Sequence, residues 1–244
     1  MNSLTQSVLL HGWATNRAVF DDFLPRLQGF SCFAQDLAGH GHAPAIDDFT
    51  AEKIADEIAC QYSQSIHVFG WSLGGYIALL MAYRHPEKIK TLTLCSSFSR
   101  FSMAEDYPCG QPNMTEYAQK LADDYPHQIK NFMQMQALSA PENQDFFFRL
   151  PEKIIQAGIP TAILTAQHAL MNADVRDLLP SISTPTLILY GEKDRLTPSA
   201  MSYYLASHLP NAQIHGFAQS AHMPFVSEAS TCAQIVLDFW NSHA

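Results

Sequence analysis

The chain has 244 residues, of which 47% are apolar and 15% charged, a composition ordinary for a water-soluble enzyme with one full-sized core. Its 23 acidic residues outnumber 14 basic ones, and the resulting net charge of −9 has the wrong sign for a general nucleic-acid or anionic-membrane binder. Apolar runs such as Tyr76 to Tyr83 fall short of the ~20 residues a membrane span needs.

Short β-branched or leucine-rich runs alternate with longer helical stretches, the pattern of a mainly parallel sheet covered on both faces. Strands are predicted at Ser7–Leu10, Ser31–Gln35, Ile66–Phe69, Thr91–Cys95, Thr186–Tyr190 and Gln213–Phe217. Helices are predicted at Ala51–Gln61, Leu73–Arg84, Ser199–His208 and Ser227–Phe239, the second ended by His85-Pro86. The rhythm breaks once, between Ser97 and about Pro180, where apolar residues recur at helical spacing. Residues 1–100 and 180–244 are therefore expected to form an α/β core and residues 101–179 a helical cap. The start of the chain has neither the basic nor the long apolar region of a signal peptide, so a cytoplasmic location is expected. Cys32, Cys60, Cys95, Cys109 and Cys232 form no CxxC or metal-ligand spacing, so free thiols are expected and no metal or cofactor is called for.

Chemistry concentrates in Gly70-Trp71-Ser72-Leu73-Gly74-Gly75, a G-x-S-x-G run with a predicted strand before it and a helix after it. In that context the serine sits on a sharp strained turn, and the glycines let strand and helix backbones pass without a Cβ between them. The bland alternative is that Ser72 only caps the following helix. A general base should follow the last strand, where Gln219-Ser220-Ala221-His222 supplies His222; His215 lies inside that strand and His85 beside a proline. The acid that orients it should follow a strand end, and Tyr190-Gly191-Glu192-Lys193-Asp194 offers Asp194, with Glu192 as competitor. The order Ser72, Asp194, His222 suits an acyl-transfer triad. Asp36 precedes the nucleophile and is expected to organise its own loop.

Together with His11-Gly12, Asp36 and Gly39-His40-Gly41, these motifs resemble the α/β-hydrolase superfamily from Val8 to Trp240. The resemblance implies a cap inserted after that fold's sixth-strand position and an oxyanion hole made by the backbone N–H groups of Trp13 and Leu73. The superfamily's antiparallel hairpin has no counterpart before the strand at Ser7, so a shortened sheet edge is expected. A closer resemblance is to the pimeloyl-[acyl-carrier protein] methyl ester esterases of biotin synthesis. It rests on His11-Gly12-Trp13, Gly70-Trp71-Ser72, Asp106-Tyr107-Pro108, Asp123-Asp124-Tyr125, Phe132-Met133, Gln136 and His222-Met223-Pro224-Phe225. It implies a serine carboxylesterase acting on a small or carrier-bound ester, with acyl-carrier protein as partner and Trp13, Trp71, Phe132 and Met223 at the substrate. Where that family's cap carries several arginines, this chain reads His127-Gln128-Ile129-Lys130-Asn131. The predicted cap holds five lysines and arginines against ten acids, so a local patch of Lys130, Arg149 and Lys153 is the expected carrier contact. Other readings of the same motifs are a broad short-acyl carboxylesterase, a C–C bond hydrolase and a hydrolase-fold binding protein without turnover.

Overall fold

The computed structural model describes residues 5–243 except 47 and 141. Six strands, β1 (Gln6–Leu10), β2 (Ser31–Gln35), β3 (Ile66–Trp71), β4 (Ile89–Cys95), β5 (Thr186–Gly191) and β6 (Ala212–Phe217), form one sheet in the order β2-β1-β3-β4-β5-β6. Every strand pair is parallel, so the sheet is all-parallel where a mainly parallel one was expected. β2 forms one edge, with no antiparallel strand beyond it among the described residues.

Side chains on alternate strand positions point to opposite faces. Val8 and Leu10 accordingly enter one apolar cluster and Leu9 the other; Val68 and Phe69 divide the same way, as do Ile188 and Leu187. With both faces buried, the strands read as nearly continuous apolar runs. Helix α1 (Ala51–Cys60) starts at Thr50, whose side chain accepts the Lys53 N–H at 3.2 Å. It lays Ile54, Ala55 and Ile58 on the first face, beside α2 (Leu73–Arg84), which is buried along most of its length.

Between β4 and β5 the chain builds α3 (Thr115–Asp123), α4 (Tyr125–Ala137), α5 (Gln144–Gln156) and α6 (Ile163–Met171) and adds no strand to the sheet. The core resumes with β5, α7 (Ser199–His208) and β6, and ends in α8 (Pro224–Ser227) and α9 (Ala229–Asn241). The sequence predicts a single last helix from Ser227. A joint at Glu228, with extended φ of −131°, divides it instead. At the joint the Ser220 hydroxyl donates to the Glu228 carboxylate at 2.7 Å and meets the Ser227 hydroxyl. On the second face α9 buries Val236 and Trp240, each worth roughly 1.5–3 kcal/mol in area removed from water.

His11 and His40 are fully buried with ring centroids 5.5 Å apart. Burial first, and then the neighbouring His40, push His11 down to about 3. Burial likewise pushes His40 down to about 4. Both stay neutral in the fold, whereas imidazoles of the unfolded chain take up protons below pH ~6.5. The unfolded state then binds more protons, so stability is whole above pH ~6.5 and declines as pH falls towards 4, by up to ~1.4 kcal/mol per unit per histidine. Urea midpoints should therefore drop steadily between pH 7 and pH 5. A flat profile across that window would contradict the burial of two neutral imidazoles.

Candidate active site

At Ser72 the backbone has φ 54° and ψ −118°, a conformation costing an L residue ~1–3 kcal/mol. The surroundings hold it there. The Ser72 N–H donates to the Cys95 carbonyl at 3.0 Å, and the Ser72 carbonyl accepts from Gly75 N–H at 2.9 Å and from the Ser97 hydroxyl at 3.0 Å. A Cβ on Gly70 would lie 2.5 Å from the Gly74 carbonyl oxygen, and one on Gly74 would run into the Leu10 carbonyl. The Ser72 side chain makes no capping hydrogen bond to α2, which disposes of the helix-cap alternative. It borders a cavity of about 740 Å³.

His222 borders the same cavity from the loop between β6 and α8. Its Nδ1–H donates to Asp194 Oδ2 at 2.7 Å, so Nε2 is the ring nitrogen left to accept a proton from a serine. Asp194 lies just past β5. Its Oδ1 accepts the N–H groups of Leu196 and Thr197 at 2.8 and 2.9 Å, and its Oδ2 accepts the Thr197 hydroxyl at 2.6 Å. Burial alone would raise the Asp194 carboxyl, but the charge of His222 and these hydrogen bonds outweigh it and hold it below the usual carboxylate range. The competitor Glu192 is exposed and accepts from the Tyr190 hydroxyl at 3.1 Å.

Two bonds outside this pair hold the histidine loop. The His222 N–H donates to Oε1 of Gln136 on α4 at 2.9 Å, and the His222 carbonyl accepts from the Trp71 indole at 2.8 Å. On the other side of Ser72, the N–H groups of Trp13 and Leu73 donate to no group among the described residues. The loop carrying Trp13 is shaped by neutral His11, whose Nδ1–H donates to the Gly12 carbonyl at 2.8 Å while Nε2 accepts the Leu37 N–H at 2.9 Å. Asp36 organises the adjoining loop, as expected, by accepting the N–H groups of Arg17 and His42.

Trp13, Trp71 and Phe132 border the cavity. Met223 does not; it is 1% exposed and packs within the core cluster behind the histidine loop, which corrects its expected contact with substrate. Lys130, Arg149 and Lys153 also lie off the cavity wall. Lys153 pairs with Asp21. Arg149 and Lys153 do share one helix, since α5 runs on through Pro151. Among the described residues no cluster of His, Cys, Asp and Glu is placed to hold a metal, no helix is long and apolar enough to cross a membrane, and the five cysteines are unpaired.

Thr197 and Gln136 were not singled out for these contacts by the sequence. Thr197 stands only three residues from Asp194, a proximity that could have marked it. Gln136 meets His222 across 86 residues of chain, a contact no local pattern announces. The arrangement suits proton transfer from a serine hydroxyl to an oriented imidazole, with two free N–H groups nearby for developing negative charge.

Residues 8–229 match the alpha/beta hydrolase fold family. A pimeloyl-[acyl-carrier protein] methyl ester esterase of Neisseria meningitidis serogroup C is 40% identical, covering 95% of this chain and 91% of the relative. A protein of the same name from Chromobacterium violaceum is 35% identical over 90% and 88% of the two chains. Among solved structures, an esterase from Exiguobacterium antarcticum superposes with a TM-score of 0.83 at 25% identity, covering 98% of this chain and 92% of its own.

The Thr197 hydroxyl also lies 3.2 Å from His222 Nδ1 and 3.0 Å from the Ser96 carbonyl, so it bridges the acid, the histidine and the end of β4. Hydrogen bonds to charged groups are worth ~1.5–3 kcal/mol, so Thr197→Val should lower turnover of a chromogenic short-chain ester roughly tenfold or more. Thr197→Ser should stay close to the parent. Equal activity of the valine variant, with an unchanged melting profile, would deny Thr197 any part in holding Asp194.

Proposed function

The chain belongs to the alpha/beta hydrolase fold family, and we propose that within it the protein is a serine carboxylesterase that removes the methyl ester from pimeloyl-[acyl-carrier protein] methyl ester in biotin synthesis. The observation that carries this reading is the 2.7 Å bond from His222 to buried Asp194, beside a cavity that Ser72 also borders. Relatives bearing that enzyme name, matched over nearly their whole length, supply the substrate. Residues 101–179 act as the cap over the acyl site, and the reaction belongs in the cytoplasm.

In this mechanism Ser72 Oγ attacks the ester carbonyl while His222 Nε2 takes its proton. The N–H groups of Trp13 and Leu73 receive the oxyanion. As the intermediate collapses, the C–O bond to the methoxy group breaks and His222 returns the proton, releasing methanol. A water then gives its proton to His222 and attacks the acyl-enzyme; collapse frees the acid and restores Ser72. Asp194 holds the imidazole in the required tautomer throughout. Trp13, Trp71 and Phe132 supply apolar surface for the acyl chain. A broad short-acyl esterase is the second reading, favoured by the likeness to the Exiguobacterium esterase.

Methanol release from carrier-bound pimeloyl methyl ester separates the two readings, together with restored biotin-independent growth in a strain lacking its own such esterase. Soluble expression without growth would favour the broad esterase. Ser72→Ala should lower turnover by several orders of magnitude, because the rate that survives loss of a triad member is only ~10³–10⁴ above water. Activity within tenfold of the parent would remove Ser72 as nucleophile. Asp194→Asn should be crippled and Glu192→Gln nearly normal; the opposite result would reassign the acid.

A further inference from the structure

An ester carried on a tethered arm has to enter where the cavity meets solvent. Met135, near the C-terminal end of α4, and Leu138, just past it, border the cavity yet are 61% and 79% exposed. The loop from β5 to α7 also borders it, with Glu192, Lys193 and Arg195 exposed. Gln136 and Asp194 grip the same histidine from these two segments, so the segments face one another across it.

Lys193 and Arg195 are the only lysine and arginine on the cavity wall among the described residues. Of the twelve other lysines and arginines in this acidic chain, Arg17, Arg26, Arg84, Arg100, Arg176 and Lys153 each hold a carboxylate, and the remaining six do not border the cavity. Among the described residues the Lys193 ammonium bonds only the neutral Gln219 side chain, at 2.9 Å. Arg195 has no carboxylate within 4.0 Å among the described residues. Of the two acids beside them, Glu192 is held by the Tyr190 hydroxyl and Asp194 by His222.

We infer that this rim is the docking surface for the acidic carrier protein, with Lys193 and Arg195 receiving its carboxylates and Met135 and Leu138 its apolar contact. The inference rests on the proposed function and moves the carrier contact away from Lys130, Arg149 and Lys153, none of which borders the cavity. A chain of net charge −9 repels an acidic partner over most of its surface. Two cations without carboxylate partners beside the mouth then set the one orientation in which the arm points inward. Exposed charges act within a Debye length, so the attraction is sensitive to salt.

The test compares the parent with Lys193→Gln/Arg195→Gln and with Lys130→Gln/Arg149→Gln. Each is assayed at low and at physiological salt on carrier-bound pimeloyl methyl ester and on dimethyl pimelate, and the readout is the ratio of the two kcat/KM values. At low salt the Lys193/Arg195 variant should lower that ratio about tenfold, mainly through KM of the carrier-bound ester, and should flatten its salt dependence. The Lys130/Arg149 variant should keep the parent ratio. An unchanged ratio in the first variant, or the drop appearing in the second, overturns the docking surface while leaving the esterase reading intact. If the parent cleaves dimethyl pimelate but no carrier-bound ester, the carrier-bound substrate of the proposed function falls and the docking surface with it.

Discussion

Between β3 and α2 the chain turns in the space of one residue, and the close approach of backbones around that turn constrains everything near it. Gly70 and Gly74 permit the approach, because side chains there would meet the Gly74 and Leu10 carbonyls. Ser72 takes the strain, with φ 54°. The strain is held by hydrogen bonds from β4 and from the Ser97 hydroxyl, so a rigid central sheet keeps the conformation from relaxing. The same approach brings the first turn of α2 against the end of β1, where the Trp13 loop begins. The Trp13 loop and the Ser72 hydroxyl thereby come to border one cavity, with the Leu73 N–H next along the chain from Ser72, and the proposed chemistry needs all three.

The second half of the site depends on loops tied across long stretches of chain. Asp194 is fixed by the two amides and the hydroxyl of its own turn, and His222 by Asp194, Trp71 and Gln136. The inserted helices reach the Trp13 loop as well. The Trp13 indole donates to the Ile163 carbonyl, the Tyr125 hydroxyl to the Ala14 carbonyl and the Asn16 amide to the Ile154 carbonyl. Each bond satisfies a buried or part-buried polar group that would otherwise cost ~1–3 kcal/mol. The inserted helices therefore also help to fix the loop to which they bond.

Sequence disclosed the features with local causes. Strands were legible because a sheet buried on both faces needs unbroken apolar runs, and the turn at Ser72 because close backbone contact demands glycine at fixed spacing. The order of Ser72, Asp194 and His222 followed from loops at successive strand ends. What escaped was set by distant partners. Met223 follows His222 directly, yet its neighbours draw it into the core. At the break Glu228 bonds Ser220, on the other side of the histidine. Lys130, Arg149 and Lys153 stand out by charge and by their place in the inserted segment, and neither property says where a cavity opens. The pull of Gln136 on His222 needed the packing of α4 to be known.

The three hydrogen bonds between the inserted helices and residues 13–16 also bear on how such a protein can be re-engineered. In many enzymes an insertion over a shared scaffold is treated as an exchangeable module, recombined between homologues to change what the scaffold accepts. Here the Ile163 and Ile154 carbonyls and the Tyr125 hydroxyl supply three of the hydrogen bonds that hold residues 13–16. A grafted segment would have to bring an acceptor or donor to each of these three points, whatever its own sequence. The natural crossover unit is thus the inserted helices together with residues 13–16, two pieces far apart in the gene that would have to be inherited as one.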